Sequence, residues 1–175
     1  MCCTCNITET GDKMDKKQIY KLLQDKSIWH EITEHEAVYN MEEVALLQLP
    51  YPEADAKNLF VRDDKKRNFY LITVNGDKRV DLKKFRKDHG TRPLHFASPE
   101  MLMDMMGLIP GAVTPMGLLN DRENRIEWFL DDEFIKEKGL IGVHPNDNTA
   151  TVWLRAVDLV ELIKEYGSKV NIIEL

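Results

Sequence analysis

The chain has 175 residues, 43% of them hydrophobic and 31% charged, with 9 glycines, 7 prolines and a formal net charge of −6. This composition belongs to a folded domain that can bury roughly 70% of the surface its unfolded form exposes, and it excludes disordered, collagenous and low-complexity chains. With no run of 18 apolar residues and no signal peptide, membrane roles fall away and a cytoplasmic location is expected.

Residues 1–14 read as a flexible polar leader that holds all three cysteines, Cys2, Cys3 and Cys5. No cysteine elsewhere can pair with them, so reduced thiols on a tail are expected and neither a disulfide framework nor a metal site is called. From residue 15 to 175 no repeat, linker or composition break divides the chain, which predicts one domain. Asp15 caps a helix carrying Ile19, Leu22 and Leu23 at helical spacing, and Ile28 to Thr33 reads as a strand. Asn40, with Glu43 three residues on, opens a helix through Leu47 that Pro50 and Pro52 end. Two β-rich runs, Asn58 to Arg62 and Asn68 to Val74, flank a charged turn and predict a hairpin.

Leu82 to Lys87 reads as a helix and Leu94 to Ala97 as a strand. Ser98 caps a methionine-rich helix stopped by Gly107, its methionines serving as core filler. Three short strands are expected at Met116–Leu119, Ile126–Phe129 and Leu140–Val143, with a helix over Asp132–Glu137 before the third. Thr149 to Leu154 alternates as a strand should, Val157 to Tyr166 reads as a helix, and Val170 to Ile173 as a last strand. The whole predicts an α+β domain with a mixed sheet and helices packed on it.

The common phosphate-loop, dinucleotide, serine-hydrolase and zinc-protease signatures are all missing, and the only thiols sit on the tail. What remains is a set of short segments: Lys57-Asn58-Leu59-Phe60 at the mouth of a strand, the proline-stiffened loop Gly111-Ala112-Val113-Thr114-Pro115, and the polar turn from His144 through Pro145 and Asn148 into Thr149-Ala150-Thr151-Val152. A fourth, His35 to Glu43, matches the pattern HxxVxTxxE with Asn40 in place of threonine. Together and in this order they resemble the YbaK-like aminoacyl-tRNA editing family, and the likeness spans about residues 16–173. Within that family the wording is most similar to the prolyl-tRNA-synthetase-associated proteins that clear alanine from tRNA(Pro).

The resemblance implies a trans-editing hydrolase with aminoacyl-tRNA(Pro) as substrate, prolyl-tRNA synthetase as a candidate second partner and no metal or cofactor, while the oligomeric state is left open with a monomer favoured. It implies Lys57, Gly111 and His144 as catalytic positions, with water attacking the ester under assistance from the substrate's own 2′-hydroxyl. Lys57 would position phosphate or ribose, backbone amides of the Gly111 to Pro115 loop would hold the developing oxyanion, and His144 would orient the aminoacyl group or the adenosine. Val38, Asn58, Ala112, Val113, Thr114, Pro115 and Asn148 would line the substrate pocket, with Val38, Val113 and Thr114 forming the small sieve that separates alanine from proline. Two other readings stay open at this point: a deacylase of Cys-tRNA(Pro) or another mischarged tRNA, and a catalytically silent binding module.

Charge adds a surface to this picture. Residues Lys65 to Arg92 contain ten basic side chains against three acids, although the chain as a whole is acidic. Lys78, Arg79, Lys83, Lys84, Arg86 and Lys87 in this stretch are expected to meet the tRNA backbone, the acidic remainder repelling it from other faces.

Overall fold

The computed structural model describes residues 12–175, so the expected cysteine tail lies outside the described residues. Asp15 and Gln18 form a reciprocal capping box that starts α1 (Lys16–Asp25), whose buried face is Ile19 and Leu23. β1 (His30–Glu34) follows, then α2 (Met41–Ala45), where the Asn40 side chain accepts from the Glu43 amide. A 3-10 turn at Pro52–Ala54 leads into the hairpin of β2 (Ala56–Asp63) and β3 (Phe69–Asn75). The fully buried Asp63 carboxylate holds that turn, accepting from the Arg67 amide at 2.9 Å and from Asn68 Nδ2 at 2.6 Å.

Next come α3 (Leu82–His89), β4 (Leu94–Phe96), α4 (Pro99–Met106), a 3-10 turn at Pro115–Asn120, and β5 (Ile126–Asp131). The chain ends with a π turn at Phe134–Lys138, β6 (Leu140–Val143), β7 (Ala150–Arg155), α5 (Ala156–Glu165) and β8 (Val170–Ile173). No helix of the described residues is long and apolar enough to cross a membrane.

Two expected elements are corrected. Met116 to Leu119 is a buried 3-10 turn instead of a strand, because Thr114 caps it through the Met116 amide and Pro115 suits its first position. The helix expected over Asp132–Glu137 is the π turn Phe134–Lys138, closed by the Gly139 amide on the Phe134 carbonyl. The mixed sheet is also divided in two. β1, β7 and β6 make a three-stranded antiparallel sheet, while the five-stranded sheet runs β4-β2-β3-β5-β8, antiparallel through β3 and parallel from β3 to β8. The sheets meet where Asp55, just before β2, bridges Gly142 of β6.

The larger core lies where both sheets face α1, α4 and α5, and includes Phe60, Leu71, Trp128, Val152, Leu23, Met106 and Ile163. A smaller cluster, Val61, Tyr70, Ile72, Val74 and Phe129, packs on the other face of the five-stranded sheet around Phe85 of α3. All seven residues of β3 are consequently buried, as a strand covered on both faces requires. In the smaller sheet Gly142 pairs with Trp153, and any Cβ there would overlap the indole ring. At the N-terminal end, the Met14 amide donates to Asn120 Oδ1 at 2.7 Å and its carbonyl accepts from Asn146 Nδ2 at 2.9 Å. The last residue of the expected leader is thus tied to the body of the fold.

Candidate active site

After α4, the chain turns at Ile109–Ala112, where the Ala112 amide donates to the Ile109 carbonyl at 3.0 Å. Gly111 adopts φ +90, and a Cβ on it would lie 3.1 Å from Tyr39 Cα and 3.3 Å from the Val38 carbonyl oxygen. Glycine therefore lets this loop lie directly on the segment between β1 and α2. The amides of Gly111, Val113 and Thr114 have no hydrogen-bond partner among the described residues. Gly111 and Val113 are partly exposed, so their unpaired donors on a constrained loop suit a carbonyl or oxyanion, whereas Thr114 is fully buried.

Two side chains fix the loop from below. Asn58 Nδ2 donates to the Val113 carbonyl at 3.2 Å, and Asn58 Oδ1 accepts from Thr73 Oγ1 at 2.7 Å. Thr73 Oγ1 in turn accepts from Nε1 of the fully buried Trp128 at 2.9 Å. The chain of bonds thus runs from the centre of the five-stranded sheet to the loop, and each of its members is satisfied, as a buried polar network must be. Thr114 Oγ1 donates to the His144 carbonyl at 2.6 Å and joins the loop to the polar turn before β7.

That turn is organised from within. Asp147 Oδ1 accepts from the Thr149 amide at 2.8 Å, and Asn148 Nδ2 donates to the Val38 carbonyl at 2.9 Å. The Val38 amide returns a bond to the Asn148 carbonyl at 3.2 Å, so Val38 is held from both sides. His144 Nδ1 lies 2.9 Å from the Ala150 carbonyl oxygen, an acceptor only, which places the ring proton on Nδ1 and leaves Nε2 as an acceptor. Burial pushes the pKa of His144 below the usual histidine range, with the neighbouring His35 acting in the same direction. The His144 ring is therefore neutral near pH 7. His35, whose ring centroid is 6.1 Å from that of His144, contacts the Glu36 carbonyl through Nδ1 and Thr151 Oγ1 through Nε2.

The structure brings Val38, Asn58, Gly111, Ala112, Val113, Thr114, His144 and Asn148 together, with Pro115 buried at the foot of the loop. It does not bring Lys57 into that set. Strand alternation puts Lys57 on the face of β2 opposite Asn58, the face of the smaller core, and its ammonium donates to the Lys78 carbonyl. Ala112 is also less available than expected, since its amide already closes the turn. Thr73, Trp128 and His35 support the site in addition to the residues expected from sequence. No spacing in the sequence could mark the first two, because strand register alone brings them to Asn58.

The basic stretch divides as well. Lys78 is held by Asp131 at 2.6 Å, by Glu133 at 2.9 Å and by the Leu175 carbonyl at 3.0 Å, so its ammonium is taken up within the fold. Arg79, Lys83, Lys84, Arg86 and Lys87 are exposed, and Lys84 faces Asp88 at 3.4 Å. Lys83, Arg86 and Lys87 line a concavity of about 570 Å³ with Gly90 and Thr91.

Comparison with known proteins places this geometry. The model of the aminoacyl-tRNA editing domain matches residues 35–162, a span that includes the whole converging set. The prolyl-tRNA editing protein ProX of Acetoanaerobium sticklandii is 37% identical over 163 residues, 93% of this chain and 99% of its own. Prolyl-tRNA synthetase associated domain-containing protein 1 of Mus musculus is 31% identical over 142 residues, 78% of this chain and 82% of its own. A crystal structure of a candidate trans-editing enzyme for prolyl-tRNA synthetase shares the fold with a TM-score of 0.63 at 19% identity, over 94% of this chain and 99% of that one. The chain belongs to the aminoacyl-tRNA editing domain family.

Proposed function

We propose that the protein is a trans-editing deacylase that hydrolyses the ester of alanine on tRNA(Pro) and spares prolyl-tRNA(Pro). The observation that supports this most directly is the pair of unpartnered, partly exposed amides at Gly111 and Val113 beside a neutral His144. An aminoacyl ester carbonyl seated on those amides would have its developing oxyanion met by fixed donors, an arrangement of the kind whose loss typically costs about 10²–10³ in rate. The converging set offers no protein nucleophile, because the Thr114 hydroxyl already donates to the His144 carbonyl. Water is then the attacking group. Its oxygen bonds to the ester carbon, the bond to the ribose oxygen breaks, and the 2′-hydroxyl assists the proton transfer that releases alanine and free tRNA.

In this reading His144 Nε2 accepts from the aminoacyl ammonium and orients it. Val38 cannot retreat from a larger side chain because both of its backbone groups are bonded to Asn148. With Val113, and with the fully buried Thr114 behind it, it walls a sieve that takes a methyl group and clashes with a pyrrolidine ring. A synthetic site for proline cannot exclude alanine by itself, since missing methylenes are worth only about 1–3 kcal/mol, so a second and smaller sieve has a purpose. Lys57 stays outside this machinery, because its ammonium lies on the other face of β2 against the Lys78 carbonyl.

The test is release of labelled alanine from Ala-tRNA(Pro), measured beside Cys-tRNA(Pro) and Pro-tRNA(Pro). Alanine release that Gly111→Ala reduces supports the reading. Preference for cysteine moves the substrate assignment, and no turnover on any ester leaves a binding module.

A further inference from the structure

Tyr39 combines an immobile backbone with an exposed ring. Its amide donates to Glu43 Oε2 at 2.7 Å, and Glu43 also takes Asn40 Nδ2 at 2.9 Å while its own amide donates to Asn40 Oδ1 at 2.9 Å. On one side Tyr39 adjoins Val38, which is bonded twice to Asn148, and on the other its Cα lies against Gly111. Yet 61% of the residue is exposed, and although one ring edge, Cδ1, lies beside Gly111, no second aromatic ring and no hydroxyl hydrogen bond engages the side chain among the described residues. Ile109, 46% exposed, stands two residues before Gly111 on the facing loop. The rim where the two segments touch is therefore apolar and aromatic, immediately beside the unpartnered amides.

A substrate whose ester carbonyl sits on those amides brings a ribose and a nucleobase with it. The ester is attached to the 3′-terminal adenosine, so the base must lie within one nucleoside's reach of the Gly111 loop. We propose that the Tyr39 ring is the platform on which this terminal nucleobase stacks, an inference that rests on the editing reading above. An aromatic face suits the task because stacking needs no sequence code, and a ring on a fixed backbone loses little freedom when the base arrives.

Steady-state hydrolysis of Ala-tRNA(Pro) by the wild type and by Tyr39→Phe, Tyr39→Leu and Tyr39→Ala tests the proposal. Alanine and leucine variants should raise KM about tenfold or more with kcat within about twofold, and phenylalanine should stay near wild type. Unchanged KM in Tyr39→Ala, or full rescue by leucine, would overturn it, the latter reducing the ring to apolar cover. Binding of an unacylated CCA trinucleotide, followed by tyrosine fluorescence quenching and by NMR shifts, gives a readout independent of turnover. If the wild type hydrolyses no ester, the editing reading fails. Tyr39 then stands if the trinucleotide binds and Tyr39→Ala abolishes that binding, and falls if the trinucleotide does not bind or binds Tyr39→Ala equally.

Discussion

Asn58 transmits the position of a buried tryptophan to a surface loop, since its amide oxygen and nitrogen face different partners. An aspartate there would still accept from Thr73 but could not donate to the Val113 carbonyl. Asn58→Asp should therefore lower kcat for alanine release by about 10- to 100-fold, since small displacements of positioned groups cost that much. Asn58→Ala should add a stability loss of about 1–3 kcal/mol by leaving the Thr73 hydroxyl without an acceptor, read as a lower midpoint in urea. His144 gives a pH signature. Its pKa lies below the ordinary value of 6.5, so activity should be steady above that value and fall only as the folded-state group takes up a proton, when Nε2 changes from acceptor to donor. The unfolded chain binds this proton more readily, so stability should also decline as pH drops below about 6.5 and level off beneath the folded pKa. A pH series of both rates and unfolding midpoints checks the two together. At this scale, Gly111, His144 and Asn148 are legible in the sequence because each sits in a distinctive short segment. The Trp128-Thr73-Asn58 relay is not, because its members are 15 and 55 residues apart in the chain.

Elements tell a similar story through glycine. Gly111→Ala adds both the cost of φ +90 and contacts at 3.1 Å with Tyr39, whereas Gly139→Ala, at φ +71, meets nothing within 4 Å. Both variants should lose roughly 1–2 kcal/mol of stability, but only the first should depress kcat, by about tenfold or more, because only it pushes the amide row away from Val38 and Tyr39. In the three-stranded sheet, Gly142→Ala should cost about 1–3 kcal/mol through overlap with Trp153, measurable by thermal unfolding. Helices are legible because caps announce them: Asp15, Asn40, Ser98 and the stop at Gly107 all take those places in the structure. The run Met116 to Leu119 misleads because three apolar side chains around one glycine fit a strand or a buried helical turn equally, and only the capping bond of Thr114 decides. The division into two sheets is not legible, since it depends on pairings such as β1 with β7, which lie more than a hundred residues apart.

For the molecule as a whole, charge separates two kinds of lysine. Lys83 and Lys84 are solvated on α3, so reversing both to glutamate should leave the unfolding midpoint nearly unchanged while weakening tRNA binding. The salt dependence of binding should flatten by about 0.9 in log-log slope for each duplex phosphate that the variant no longer neutralises. Unchanged affinity across the salt series would take this helix out of the RNA-facing surface. Lys78 should behave in the opposite way, because Asp131 beneath it is fully buried. Lys78→Met leaves that carboxylate unpaired and should destabilise the fold by something under the about 3–5 kcal/mol seen for fully buried pairs, since the lysine keeps about a third of its side chain in water. The bonds from Asn120 and Asn146 to Met14 carry a practical meaning for anyone who edits the ends of this chain. Trimming as far as Asp12 keeps that clasp, but removing Met14 releases an amide only two residues from His144. A tag or carrier protein joined directly to Asp12 in place of residues 1–11 would therefore start close to the turn that holds this histidine, so activity should be compared with the appendage at either end.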